Sequence, residues 1–224
     1  VDTLAEEAAA WIYERGNHAC VIAWDMQNES PNSEKTSQVI RRVRGLDPQN
    51  RPWDNGWGAD HSTETDSLES HVYFNGGLNN YHYRMERLNQ ESNQQASTYT
   101  DNTLSNPVIL NEYCWLWLDR EGYPTTLTTE CWDYLLPGAT PEQRQTYYAD
   151  WLAAETEFWR EGRFYAGVLQ FCGLGYSNME RKGETSDLLM PDLTVPQFSP
   201  YLAQRLRSAF APVGVVIRNC SEQV

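Results

Sequence analysis

Short apolar strands alternating with helices predict an α/β fold, and within it the C-terminal portion, about strands 4 to 8, of a (β/α)8 TIM barrel. Three observations carry this reading. The runs "VIAW", "PVIL" and "FYAGVLQF" are continuous apolar stretches, not polar–apolar alternations, which marks strands buried on both faces of a parallel sheet. Helical patterns separate them, as βα units require. About four or five strands can be read, too few to close an eight-stranded barrel, and the first element is a helix without its strand. The chain is therefore expected to be a fragment of a larger multidomain chain. Residues 1–210 would form the partial barrel, and 211–224 the start of a following β domain or a linker.

The elements follow in order. "TLAEEAAAWIYERG" is expected to be a helix capped by Thr3, with Glu6 three residues on and Gly16 after the last apolar turn. A buried strand over 20–26 comes next. Val39, Ile40 and Val43 then recur at helical spacing, and that helix stops by Gly45 and Pro48. "RPWDNGWG" opens on a short strand. "ESHVYFNGG" contains another, ending at Tyr73 and Phe74 before two glycines. Residues 81–95 read as a helix. "NPVILNEY" is a strand over 107–110 that ends in Asn111 and Glu112, and a long aromatic loop, 113–139, follows. The clearest helix starts at Pro141: Thr140 is its N-cap, Pro141 its first residue, and Gln143 completes a capping box. Tyr148, Trp151, Leu152, Glu155 and Trp159 fall near one side of it, and Gly162 ends it. "FYAGVLQFCGLG" supplies one more buried strand. A polar loop over 176–199, a helix at about 200–210, and "APVGVVI", the beginning of a strand, complete the chain.

Composition narrows the function. The net charge is −14, from 17 Lys and Arg against 31 Asp and Glu. Phosphate backbones need a positive footprint, so nucleic acid is excluded as a partner, and anionic membrane surfaces are disfavoured. No window approaches 18 consecutive apolar residues, so no membrane span is expected. The sequence shows no signal peptide and does not begin with Met; a secreted or periplasmic location is the expectation. The 9 Trp, 13 Tyr and 6 Phe suit sugar binding, because flat apolar faces stack on sugar C–H faces and polar edges meet hydroxyls. The five cysteines, Cys20, Cys114, Cys131, Cys172 and Cys220, contain no CxxC pair. Cys20, Cys114 and Cys172 lie in or beside strand-like runs and are expected to be buried thiols. The four histidines lack HExxH spacing, so no metal is expected.

The chemistry lies at two strand ends. In parallel α/β folds, side chains at the carboxyl ends of strands converge on one face. Glu29 and Glu112 both sit there, each after an apolar run and each preceded by Asn. Paired carboxylates in one mouth are what glycoside hydrolysis uses. One gives its proton to the leaving oxygen, and the other, ionised, attacks the anomeric carbon or activates water. Each glutamate alone also fits an ordinary solvated strand end.

"RGNHACVIAWDMQNES" resembles the segment that carries the acid/base in family 2 glycoside hydrolases, the β-galactosidase and β-glucuronidase group. The shared features are Arg15, Asn17, His18, Val21-Ile22, Trp24 and Asn28-Glu29. "VRGLDPQNRP" is similar to the connection that follows there, "NPVILNEY" to the nucleophile strand, and "FYAGVLQF" to the eighth strand. The resemblance implies a retaining β-glycosidase that works by double displacement, β-galactosidase-like or β-glucuronidase-like, on plant or algal polysaccharide fragments. Glu29 would be the acid/base and Glu112 the nucleophile. Asn28 would bind the sugar 2-hydroxyl. "HVY" is similar to a His/Tyr pair of the wider clan, so Tyr73 would orient Glu112 and His71 would lie beside the sugar. Trp53, Trp57 and Trp115, with Trp117, Tyr123 and Trp132, are candidates that as a group include an aromatic platform, each also fitting loop-core packing. The family often brings a Trp beneath the sugar where this chain has Gln170-Phe171-Cys172. Metal sites of some members do not carry over, so neither metal nor cofactor is expected. The expected partners are a carbohydrate substrate and other domains of the same polypeptide. An endo-acting glycanase of a sister family and a non-catalytic carbohydrate-binding barrel remain the alternatives.

Overall fold

The computed structural model describes residues 1–30, 34–56, 66–73, 106–161, 165–175, 183, 192, 194, 195 and 197–215. The expected helix over 81–95, Trp57 and Cys220 lie outside these residues. The elements in order are α1 (Asp2–Arg15), β1 (Trp24–Asp25), α2 (Glu34–Val43), a 3-10 turn (Arg44–Leu46), β2 (Trp53–Asp54), β3 (Leu68–Val72), β4 (Val108–Tyr113), α3 (Thr129–Leu135), α4 (Pro141–Arg160), β5 (Tyr165–Val168) and α5 (Pro200–Ala209). The described strands form two sheets, β1-β2 and β3-β4-β5, and not a closed eight-stranded barrel. A bond from the Ser67 N–H to the Trp53 carbonyl, 3.0 Å, runs between β2 and the residue before β3. Strand neighbours therefore follow chain order, as they do around a barrel. The chain divides into two compact units, 1–70 with 98–110 and 71–97 with 111–224.

In the first unit, Ala5, Ala8 and Ile12 of α1 pack with Val39, Ile40 and Val43 of α2 and with Trp24 and Trp53. The helical spacing read in α2 is thus its buried stripe. Thr3 does not cap α1: the helix begins one residue earlier, after Val1, and has no side-chain cap. The strand expected over 20–26 shrinks to Trp24–Asp25, paired in parallel with Trp53–Asp54. The Trp24 N–H reaches the Pro52 carbonyl and the Met26 N–H the Asp54 carbonyl, both at 3.0 Å. Pro52 has no N–H to return, so the ladder cannot extend backwards. Ile22 is consequently 76% exposed and Cys20 is exposed, against the expectation of burial.

A polar network locks this unit. The Trp24 indole donates to Asp47 Oδ2 at 3.0 Å, and Arg51 pairs with Asp47 Oδ1 at 2.8 Å. Arg51 also donates to the Gly16 carbonyl at the end of α1, 2.8 Å. Burial of the Asp47 carboxyl opposes its charge, but hydrogen bonds from Trp24 and the Arg51 and Gln49 amides, with the Arg51 charge, hold its pKa below the usual value. The "LDPQNR" connection is therefore the clasp of β1, β2 and α1.

In the second unit, α4 is built as its sequence dictates. Thr140 accepts the Gln143 N–H, the Gln143 side chain accepts the Thr140 N–H, and Pro141 opens the helix. Tyr148, Trp151, Leu152, Glu155 and Trp159 are all buried. The helix packs on α5 and β5. The Tyr113 hydroxyl, at the end of β4, meets Thr156 of α4 at 2.6 Å. The aromatic stretch 113–139 is not all loop: Thr129–Leu135 is a helix that buries Cys131 and Trp132. β3 is buried throughout, whereas β4 and β5 are largely half-buried and Leu169 is 58% exposed. Residues 211–215 carry no regular structure, with Val213 and Val215 exposed.

Candidate active site

The first unit carries Asn28 and Glu29 on the turn after β1. Both are exposed. Three contacts shape this turn. The Gln27 amide donates to the Asn55 carbonyl at 3.0 Å. Gly56, at φ +68, lets the Ser30 carbonyl approach so closely that an added Cβ would lie 2.4 Å from it. The Glu29 N–H donates to Glu69 Oε1 at 3.3 Å. Glu29 itself has φ +46, the left-handed region that residues with a Cβ rarely adopt.

Beneath the turn lie three carboxylates. Asp25, Asp54 and Glu69 each offer an oxygen within 4.8 Å of the others. Asp54 and Glu69 are buried, at 6% and 1% exposure. Burial first, then the charges of Asp25 and Glu69, push the Asp54 carboxyl up to about 8, so it carries a proton at neutral pH. Three oxygens this close are a ligand set that a hard cation such as Ca²⁺ could use.

The second unit carries His71, Tyr73, Glu112 and Trp115. Tyr73 follows β3, and Glu112 sits within β4, which runs on to Tyr113 and past the expected end at residue 110. The Tyr73 hydroxyl donates to Glu112 Oε2 at 2.6 Å, and His71 Nδ1 lies 3.3 Å from the same oxygen. Both strands present these groups at their carboxyl ends, so the carboxylate plane of Glu112 is oriented by rigid elements. The Glu112 side chain keeps 14% exposure. Trp115 meets Tyr73 edge-on at 5.2 Å between centroids and lies 4.4 Å from Trp117. The Trp117 indole donates to the Phe171 carbonyl at 2.9 Å, and Phe171 packs edge-on against the Trp117 ring. The Phe171–Cys172 peptide bond is cis.

Of the aromatic candidates, Trp53, Trp117 and Trp132 are core residues at 1%, 3% and 1% exposure, Trp115 is half-buried, and Tyr123 is 55% exposed. Behind Glu112, Cys114 has φ +70 and is buried. Burial, then the neighbouring Glu155 carboxyl, hold its thiol protonated.

The family model described as glycosyl hydrolases family 2, TIM barrel domain, matches residues 2–152. The chain belongs to glycosyl hydrolase family 2. This family 2 chain is also similar in fold to solved β-glucuronidases. That of Faecalibacterium prausnitzii is 16% identical, with a TM-score of 0.58, covering 96% of this chain and 36% of that one. That of an uncultured Clostridium sp. is 18% identical, with a TM-score of 0.55 and coverage of 92% and 35%. The Bifidobacterium dentium β-glucuronidase complexed with coumarin-3-O-glucuronide is 18% identical, with a TM-score of 0.56 and coverage of 95% and 34%. The family 2 chain thus spans about a third of the length of these structures. No curated protein matches it in sequence.

Within the family 2 chain, the structure brings together His71, Tyr73, Glu112 and Trp115. Asn28 and Glu29 belong to the first unit and are described within it; Trp57 lies outside the described residues. Reading the sequence missed Glu69 as a partner of the Glu29 amide, and the depth at which Glu155 is buried. Glu69 stands in "SLESHV", which forms a fully buried strand, but nothing in that run marks the Glu29 amide as its partner.

Proposed function

We propose that the chain is the C-terminal portion, about strands 4 to 8, of a family 2 barrel in a larger polypeptide, and that it acts as a retaining β-glycosidase. Glu112 is the nucleophile. It attacks the anomeric carbon while Glu29 gives its proton to the departing glycosidic oxygen. Water, deprotonated by Glu29, then displaces Glu112 and restores the configuration. The observation that carries the reading is the Tyr73 hydroxyl at 2.6 Å from Glu112 Oε2 with His71 on the same oxygen. A hydroxyl donor and an imidazole nitrogen on one oxygen fix the orientation of the carboxylate for attack. Asn28 is the contact to the sugar 2-hydroxyl, and Trp115 is the stacking face. The solved relatives named β-glucuronidases make β-D-glucuronides the first substrates to try, with β-D-galactosides beside them.

The experiment is Glu29→Ala in the intact protein. An alkoxide of high pKa leaves only with a proton, whereas a dinitrophenolate does not need one. The variant should lose activity on methyl glycosides far more than on 2,4-dinitrophenyl glycosides. Azide should restore turnover of the latter and give a β-glycosyl azide. Equal loss on both substrates with no effect of azide rules out Glu29 as the acid/base.

A further inference from the structure

We propose that Glu69 is a positioning residue for Glu29: by accepting the Glu29 N–H, its buried carboxylate holds the Glu29 backbone in the conformation that aims the side chain. This rests on the reading of Glu29 as acid/base.

The turn around Glu29 is pinned on either side by Gln27 to the Asn55 carbonyl and by the close approach of Ser30 to Gly56. Neither contact fixes the Glu29 amide itself; the contact that does is the 3.3 Å bond to Glu69 Oε1. The amide orientation matters because φ +46 is unfavourable for a side-chain-bearing residue. Released, the residue returns to negative φ, a rotation of roughly 110° about N–Cα to the helical value and more to an extended one. Such a rotation swings the glutamate side chain to a different direction. Its tip moves well beyond the roughly 1 Å that already costs on the order of a hundredfold in a catalytic group.

Glu69 is suited to hold this amide. It lies on β3, which is buried at every position, and is itself 1% exposed. A rigid strand fixes the acceptor better than a loop could. An apolar side chain could fill the strand position but could not accept the Glu29 N–H.

The test compares Glu69→Gln, which keeps the acceptor oxygen without the charge, with Glu69→Met, which keeps the shape and loses both. Both are made in the intact protein and assayed beside Glu29→Ala on methyl and 2,4-dinitrophenyl β-D-glucuronides and β-D-galactosides. Glu69→Met should lose roughly ten- to a hundredfold on the methyl glycosides and less than about threefold in glycosylation by the dinitrophenyl glycosides, with azide accelerating the second step. Glu69→Gln should stay within about threefold of wild type on both. A structural role alone would lower both substrates together and leave azide without effect. Equal losses in the two variants would show that charge matters and not the acceptor, and would overturn the proposal. If Glu29→Ala shows the azide signature and Glu69→Met does not, the positioning role fails while the acid/base reading stands; if Glu29→Ala lacks it, the acid/base reading itself fails. Hydrogen exchange on the wild-type protein covers the case in which Glu69→Met does not fold. The Glu29 amide should exchange at least about tenfold more slowly than in an unstructured peptide, and free exchange there would refute the bond.

Discussion

Glu155 offers a prediction whose size follows from its surroundings. Its side chain has 0% exposure within α4. The Trp159 indole donates to Oε1 at 3.3 Å, while Oε2 has no hydrogen-bond partner among the described residues. Burial pushes the carboxyl up to about 8, overcoming the hydrogen bonds from Trp159, Trp151 and the Cys114 amide that favour ionisation. The unfolded chain releases this proton near 4.5 and the folded chain near 8. Between those values the folded state binds more protons than the unfolded state, so stability falls as pH rises. The slope is about 1.4 kcal/mol per pH unit, and the full loss, complete above pH 8, is about 5 kcal/mol. Glu155→Gln keeps the shape and an acceptor for the indole and removes the titration. Urea unfolding of both proteins at pH 5, 6, 7 and 8 isolates this residue, because other groups titrate alike in the two. The stability difference should move in favour of the variant by about 3 kcal/mol between pH 5 and 7. A difference that stays constant with pH would mean Glu155 is ionised in the folded protein, and the burial argument would fail.

Two further outcomes follow from named contacts. Tyr73→Phe removes the 2.6 Å donor to Glu112 while leaving the ring against Trp115. A hydrogen bond to a charged group contributes about 1.5–3 kcal/mol, so kcat/KM on the dinitrophenyl glycoside should fall roughly ten- to a hundredfold with the unfolding midpoint little changed. Asp47→Ala strands the buried Arg51 guanidinium and the Trp24 indole. It should cost about 3–5 kcal/mol in chemical denaturation. Since the folded Asp47 pKa is lowered, its contribution is present above the unfolded value of 3.8 and is lost as pH falls toward the folded one.

What could be read from the sequence was what is decided locally. The cap and face of α4 follow from Thr140, Pro141, Gln143 and the spacing of its aromatic residues, and the stripe of α2 from Val39, Ile40 and Val43. These signals lie within one helix each. The length of β1 was not legible, because it depends on a partner some thirty residues on whose proline ends the ladder. Helix α3 escaped notice because it has no side-chain cap and is only 7 residues long. At the site, Tyr73 and Glu112 could be proposed from strand ends, where a parallel sheet gathers side chains. Glu69 could not, since its partner is an amide 40 residues away and backbone donors leave no mark in a sequence. Glu155 was visible as a member of the apolar side of α4, but the neutral state of its carboxyl depends on how completely β4 and the surrounding indoles exclude water.

The measurement that tests the central claim most directly is covalent trapping in the intact protein. A 2,4-dinitrophenyl 2-deoxy-2-fluoro-β-D-glycoside slows both steps but spares the first by its good leaving group, so the glycosyl-enzyme accumulates. Peptide mapping should find one adduct, on Glu112, and none in the Glu112→Gln variant. An adduct on another carboxylate, such as Glu29 or Glu69, would contradict the assignment of Glu112 as the nucleophile.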